Sequence, residues 1–356
     1  MNNTYCILFA GGKGTRLWPF STAQCPKQFL DLLGVGQTML QITYERYARF
    51  VDKSHIYVVC NEEYQSLVTQ QLPQLTPQQC VTEPVRLGTL PAAVLTSMLI
   101  YSNNHDATVI CAPCDQLIFQ ESIFQQQMMQ AVDYVTQTQS CVAVGVKATS
   151  AETAYGYLQK GAPLTDGLYR LKGFTEKPTP EYAQTFLESG EFAWSTGLFV
   201  CRVKSLLDIY CNDKPEMLPF INNIATGSVT PQEIHEYTQQ NYARYTRQNL
   251  DLYLLDHARQ VAVLEAQFGW SDLGTWGSLY QHTSKDAQGN AIIGGQLHSY
   301  NSQDNIVSTP ANLHTVIKGL EGYLVALQGN TLVIIPKNDA SLLRRVRNDL
   351  KITLAQ

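Results

Sequence analysis

Short apolar runs rich in β-branched and aromatic residues recur through the first 280 or so positions. Longer stretches with apolar residues at helical spacing separate the early ones. The runs 5–10, 56–60, 108–112, 141–146, 197–203 and 261–266 read as strands, and 39–50, 64–72, 92–101 and 123–136 as helices. Such alternation predicts an α/β fold, with a Rossmann-like mixed, mostly parallel sheet covered by helices on both faces. In sheets of this kind ligands bind beyond the carboxyl ends of the strands. The loops that follow strands are therefore where the chemistry should lie.

After Tyr280 the texture changes. Residues 286–335 carry Gly/Asn turns and short β-rich pieces at 305–309, 315–318, 323–326 and 331–335, with no helical spacing between them. This predicts a small β-rich, left-handed β-helix-like region. Residues 340–350 read as an amphipathic helix with Leu342, Leu343, Val346 and Leu350 on one face, and Arg344, Arg345 and Arg347 solvating the other. The expected organisation is a catalytic domain over 1–285 and a β-rich C-terminal region over 286–356 that ends in this helix.

With 44% hydrophobic and 15% charged residues in 356, the chain can build a large core and is far from a disordered composition. A formal net charge of -5 gives no basic surface for nucleic acid or an anionic membrane, so bound phosphate must be held by a few local groups. The apolar run at 5–10 is too short to span a membrane and lacks the flanks of a signal peptide, so a cytoplasmic location is expected. Nine cysteines, an odd number, argue against a disulfide framework. Cys6, Cys60, Cys141 and Cys201 lie in strand-like runs, and the Cys111/Cys114 pair closes a strand instead of opening a helix as a redox motif would. Seven scattered histidines without H-E-x-x-H spacing give no zinc site.

The first strand runs straight into Gly11-Gly12-Lys13-Gly14-Thr15-Arg16-Leu17. Glycines at 11, 12 and 14 allow positive φ and close backbone approach. Successive N–H groups there would form an anion nest, reinforced by a following helix N-terminus and two cations. No Walker A string occurs, and Leu17 stands where the dinucleotide fingerprint needs its third glycine. Residues 11–20, continued by Pro26-Lys27-Gln28-Phe29-Leu30, resemble the A-G-G-x-G-T-R-L-x-P…P-K-Q signature of the sugar-1-phosphate nucleotidyltransferases. Trp18 and the P-K-Q-F-L ending are similar to the mannose-1-phosphate guanylyltransferase branch of that family.

Further segments match in order. Glu83-Pro84 through Thr89 and Pro91-Ala92 resembles the family's base-facing loop, and Pro113-Cys114-Asp115 its P-[AS]-D-H, which supplies a metal-binding aspartate. Glu152-Thr153 with Tyr155-Gly156-Tyr157 resembles E-T-G-Y-G-Y on the sugar side. Phe174-Thr175-Glu176-Lys177-Pro178 matches F-x-E-K-P, whose glutamate and lysine hold the sugar and its phosphate. Residues 194–199 resemble W-N-S-G-[IM]-F, residues 270–276 match W-S-D-x-G-x-W, and the tail through 319–325 is similar to the family's C-terminal β region. Departures occur at Arg86-Leu87-Gly88, where the family has G-R-N, at Gln116 in place of histidine, and at Ser195-Thr196 in place of N-S. These leave the base and the sugar open.

The resemblance implies attack by a sugar-1-phosphate oxygen on the α-phosphorus of a nucleoside triphosphate, expelling pyrophosphate. GTP and mannose 1-phosphate are the expected substrates. Such a nucleophile is already an anion, so no general base is required; positioning and charge neutralisation are. Arg16 suits the β/γ-phosphates as a bidentate donor, Lys27 the α-phosphate as a compact charge, and Lys177 the sugar phosphate. Gly11, Gly12, Gly14, Thr15, Glu83, Gly88 and Thr89 are the expected nucleotide-binding residues, and Gly156, Glu176 and Ser195 the sugar-binding ones. Asp115 and Asp272 would share a Mg²⁺ with substrate oxygens. Left open are another sugar or nucleotide, a non-catalytic nucleotide-sugar-sensing paralogue, and a homodimer.

Overall fold

The computed structural model describes residues 3–258, 260–339, 342–343, 345–346 and 348–349. Its strands are β1 (Thr4–Phe9), β2 (Ile56–Asn61), β3 (Cys80–Glu83), β4 (Thr108–Pro113), β5 (Gln116–Ile118), β6 (Cys141–Lys147), β7 (Tyr157–Thr165), β8 (Leu168–Thr175), β9 (Phe192–Arg202), β10 (Val261–Ala266), β11 (Trp270–Asp272), β12 (Ala291–Tyr300), β13 (Ile306–Lys318), β14 (Tyr323–Gln328) and β15 (Thr331–Pro336). The chain divides into two compact units. The first comprises Met1–Gly11, Tyr44–Cys114 and Ile118–Trp270, the second Gly12–Thr43, Asp115–Leu117 and Ser271–Gln356.

The first unit is built on a nine-stranded mixed sheet in the order β3-β2-β1-β4-β9-β6-β10-β8-β7. β8 and β9 run against the other seven. Tyr5 and Ile7 on one face of β1 and Cys6 and Leu8 on the other are all buried, which is why the strand is apolar without alternation. Helix Thr89–Asn103 is apolar around nearly its whole circumference. Its Leu90, Val94, Leu95 and Met98 pack with Tyr5, Ile7, Val59 and Val109 in the main core. Each such side chain contributes about 1.5–3 kcal/mol by leaving water.

Two regions differ from what the hydrophobic pattern predicts. The strand expected at 197–203 begins five residues earlier, at Phe192, and Val203 already starts the helix Val203–Asp213. Ser195 and Thr196 break the apolar run, but the Thr196 hydroxyl donates to the Val144 carbonyl at 2.8 Å, so the polar residue is buried without an unpaired donor. The β7–β8 hairpin has no counterpart in the predicted strands, because much of its length is exposed and polar.

In the second unit β12, β13 and β14 are parallel neighbours in chain order with no helix between them, and β15 returns antiparallel. Buried Asn290 and Asn305 stack at successive corners. Asn305 donates to the Asn290 side-chain oxygen at 2.9 Å, and its own oxygen accepts from the Tyr323 N–H at 2.8 Å. The pieces expected at 305–309 and 315–318 are one strand, and β12 was not among those expected. Ile293, Ile306, Leu324 and Ala326 form a core with Leu17, Leu32, Met39, Leu273 and Trp276. Of the predicted terminal helix, Leu342, Leu343, Arg345, Val346, Asn348 and Asp349 are helical and Leu343 is buried. Ala340, Arg344, Arg347 and Leu350 lie outside the described residues. Among the described residues no helix is long and apolar enough to cross a membrane, and all nine cysteines are free thiols.

Candidate active site

The glycine loop is held from within. Gly14 has φ 58°, and a Cβ there would lie 2.7 Å from the Lys27 backbone nitrogen and the Ser21 hydroxyl. Glycine is thus required both for its left-handed backbone and for the close approach of the 27 segment. Gln28 Nε2 donates to the Gly12 carbonyl at 2.8 Å. Beyond it, Thr15–Leu17 is a single 3₁₀ turn. The helix N-terminus expected after the loop is not formed, because Trp18 is extended and Pro19 follows. Any phosphate held here relies on loop N–H groups and side-chain cations.

Those cations meet two carboxylates. Asp115 immediately precedes β5 and Asp272 ends β11, and β5 pairs with β11. This pairing brings together residues 157 positions apart in the chain. Lys27, only 7% exposed, places its Nζ 2.9 Å from Asp115 and 3.4 Å from Asp272. Arg16 Nη2 lies 3.6 Å from Asp272. Burial alone would lower the Lys27 pKa, but Asp115 and then Asp272 outweigh it, and the ammonium is held above its ordinary value. Gly274 makes the Arg16–Asp272 approach possible, since a Cβ there would sit 2.5 Å from Asp272 Oδ2 and 2.8 Å from Arg16 Nη2. Trp276 donates its indole N–H to the Trp18 carbonyl at 3.1 Å, tying the segment after Asp272 to the end of the loop.

The first unit carries two further groupings. At the end of β3, Glu83 is 5% exposed and accepts from the Tyr242 hydroxyl at 2.5 Å. Burial pushes its carboxyl up to about 7, while Tyr242 and Arg86 pull it back down. Gly11 makes room for it, since a Cβ there would lie 3.2 Å from Glu83 Oε2. Gly88 precedes helix Thr89–Asn103 with φ 104°, and a Cβ would meet the Gln248 carbonyl oxygen at 2.5 Å. Glycine at 88 is therefore a requirement of the backbone, not simply a base contact given up. The Leu250 N–H donates to the Thr89 hydroxyl at 2.9 Å, so this hydroxyl anchors residues 248–250.

In the second grouping, Glu176 pairs with Lys177 at 2.6 Å, and Lys177 has the uncommon φ of 44°. Gly156 lies against this acid, since a Cβ there would be 2.9 Å from Glu176 Oε2. The Ser195 N–H donates to the Gly156 carbonyl at 2.8 Å. Tyr155 meets Trp194 and Trp270 edge-on, and both buried indole N–H groups lack an acceptor among the described residues.

The expected site residues thus fall into sets. Gly12, Gly14, Thr15, Arg16, Lys27, Asp115 and Asp272 belong to the second unit; Gly11, Glu83, Gly88, Thr89, Gly156, Glu176, Lys177 and Ser195 belong to the first. Sequence reasoning missed Tyr242, Gln248 and Gly274 as functional neighbours. Gly274 stands inside a matched motif and could have been found there. Tyr242 and Gln248 carry no local signal.

The model of the nucleotidyl transferase family matches residues 5–289. The mannose-1-phosphate guanylyltransferase of Salmonella muenchen is 29% identical over 99% of this chain and 74% of its own. The alginate biosynthesis protein AlgA of Pseudomonas syringae pv. tomato is 30% identical over 93% of this chain and 68% of its own. A crystal structure from Thermus thermophilus, described as a mannose-1-phosphate geranyltransferase, superposes with a TM-score of 0.85 at 25% identity, covering 98% of this chain and 99% of that one. With its glycine loop, its paired cations and carboxylates and this match over most of its length, the chain belongs to the nucleotidyl transferase family.

Proposed function

We propose that the protein transfers the guanylyl group of GTP to mannose 1-phosphate, giving GDP-mannose and pyrophosphate. The observation that carries this reading is the buried Lys27 held between Asp115 and Asp272, with Arg16 against Asp272. Two cations and two carboxylates sum to no net charge, so the cluster by itself is a poor host for a triphosphate. The carboxylates converge on one point and supply hard oxygen donors, which fits a magnesium ion bound by one or two carboxylates and substrate oxygens. When bound, the Mg²⁺ would offset the charge of the triphosphate oxygens. Arg16 then grips the β/γ-phosphates, Lys27 steadies the α-phosphate, and Lys177 anchors the sugar phosphate. A sugar-phosphate oxygen forms the new bond to the α-phosphorus as the bond to the β-phosphate oxygen breaks, and no proton moves. Glu83 accepts from the N1–H and amino group of guanine, and Glu176, Gly156 and Ser195 meet the sugar.

The relatives' names support mannose 1-phosphate and GTP as substrates. A cytoplasmic location, a homodimer, a catalytic domain over 1–285 and a β-rich, left-handed β-helix-like C-terminal region that ends in an amphipathic helix complete the proposal. The test is a matrix of nucleoside triphosphates against sugar 1-phosphates with Mg²⁺, read as pyrophosphate release. Release with GTP and mannose 1-phosphate well above every other pair is expected. No release with any pair would leave the nucleotide-sugar-sensing alternative.

A further inference from the structure

At the carboxyl ends of β1 and β4 the first unit holds a cavity of about 190 Å³, lined by Phe9, Thr89, Pro113, Gly197, Asn249 and Asp251 among others. That is below the volume typical of a whole drug-sized ligand and suits part of a sugar better than a nucleotide. It opens where ligands of parallel sheets bind. Among the described residues that line it, Asp251 alone is charged. The carboxylate stands in the first turn of helix Leu250–His257. The segment leading to it is pinned by Leu250 N–H to Thr89 and by Leu90 N–H to the Gln248 carbonyl at 3.2 Å.

We propose that Asp251 is a sugar-specificity residue, whose carboxylate accepts a hydroxyl of the hexose in this cavity. Charge explains why the ligand group is a hydroxyl and not a phosphate. Glu176 and Lys177 are close enough to act on the Asp251 carboxylate in opposite directions. The Asp251 carboxylate itself would repel a phosphate, which Lys177 holds in the proposed function, whereas a hydroxyl donor is attracted to it. Burial raises the Asp251 pKa, so a hydroxyl donated to the carboxylate would favour its charged form. Gly197, which lines the cavity, follows the Ser195-Thr196 pair, so the cavity adjoins the segment that departs from the family pattern. The inference rests on the proposed transfer to mannose 1-phosphate.

The test compares wild type with Asp251→Asn, which keeps an oxygen for the local backbone N–H, and with Asp251→Ala. Pyrophosphate release from GTP is measured with mannose 1-phosphate and with its singly deoxygenated analogues. The expected result is a KM for mannose 1-phosphate raised about tenfold or more, with the KM for GTP within about twofold of wild type. Wild type should discriminate against one deoxy analogue, and both variants should lose that discrimination at that position alone, a pattern that a merely structural role would not give. Unchanged discrimination in folded variants of an active enzyme would overturn the role of Asp251 and leave the transferase reading standing. Wild type inactive on GTP with mannose 1-phosphate would overturn both.

Discussion

At the scale of single residues, space and charge decide more than residue type. Gly88 stands where the family has asparagine, and Gly88→Asn would restore the family residue. The positive φ and the Gln248 carbonyl 2.5 Å from any Cβ make that substitution a structural lesion. Gly88→Asn should therefore lower stability by about 2 kcal/mol or more. Thermal melting checks this, with a drop of several degrees expected before any change in base preference can be read. Glu83 makes a second prediction. Burial pushes its carboxyl up to about 7, and under the proposed function the ionised form is the one that would accept from guanine. The KM for GTP should rise as pH falls through about 7. Tyr242→Phe removes a hydrogen bond to the charged form, so the Glu83 pKa rises and this limb should move to higher pH. The folded-state pKa lies above the unfolded value, so the linked stability is present at low pH and lost as pH rises from about 4.5 to 7. Glu83→Gln should accordingly raise the melting temperature at pH 8 while weakening GTP binding.

At the scale of elements, the β5–β11 ribbon makes a single site from two distant loops. Asp115→Asn and Asp272→Asn should each lower turnover by about a hundredfold or more, measured as pyrophosphate release. Each also removes half of the negative charge that holds Lys27 in the interior, at a cost of about 1–3 kcal/mol in unfolding free energy. Gly274→Ala tests the same cluster without touching a charge. Its Cβ would force the Asp272 and Arg16 side-chain ends apart, so activity should fall about tenfold or more. The melting temperature should stay within about 2 °C of wild type.

At the scale of the whole chain, Gly12–Thr43 groups with the C-terminal β-rich region across more than two hundred intervening residues. Leu17, one residue after Arg16, and Leu32, five after Lys27, share a core with Ile293, Ile306 and Leu324. Removing residues 286–356 would strip that core from the loop that presents both cations. The truncated chain should therefore lose pyrophosphate release together with its cooperative melting transition. Wild-type activity in the truncated protein would show that the loop is organised without this core.

The sequence by itself determined the parts whose signal is local. The doubly buried strand at 5–10 shows as an unbroken apolar run, Gly14 has a backbone conformation that glycine adopts without strain, and Asp115, Asp272, Lys27 and Glu176 stand in motifs only a few residues long. The hairpin at 157–175 stayed illegible because an exposed strand need not alternate, and the strand from Phe192 was obscured by Ser195 and Thr196, of which Thr196 is satisfied by the Val144 carbonyl from elsewhere in the chain. Only the tertiary structure decided which charges neutralise which, that Tyr242 holds Glu83, and that Gln248 forbids a side chain at 88. Lys27 and Asp115 stand 88 positions apart, the other contacts join residues more than 150 positions apart, and no pattern along the chain encodes a distance across it.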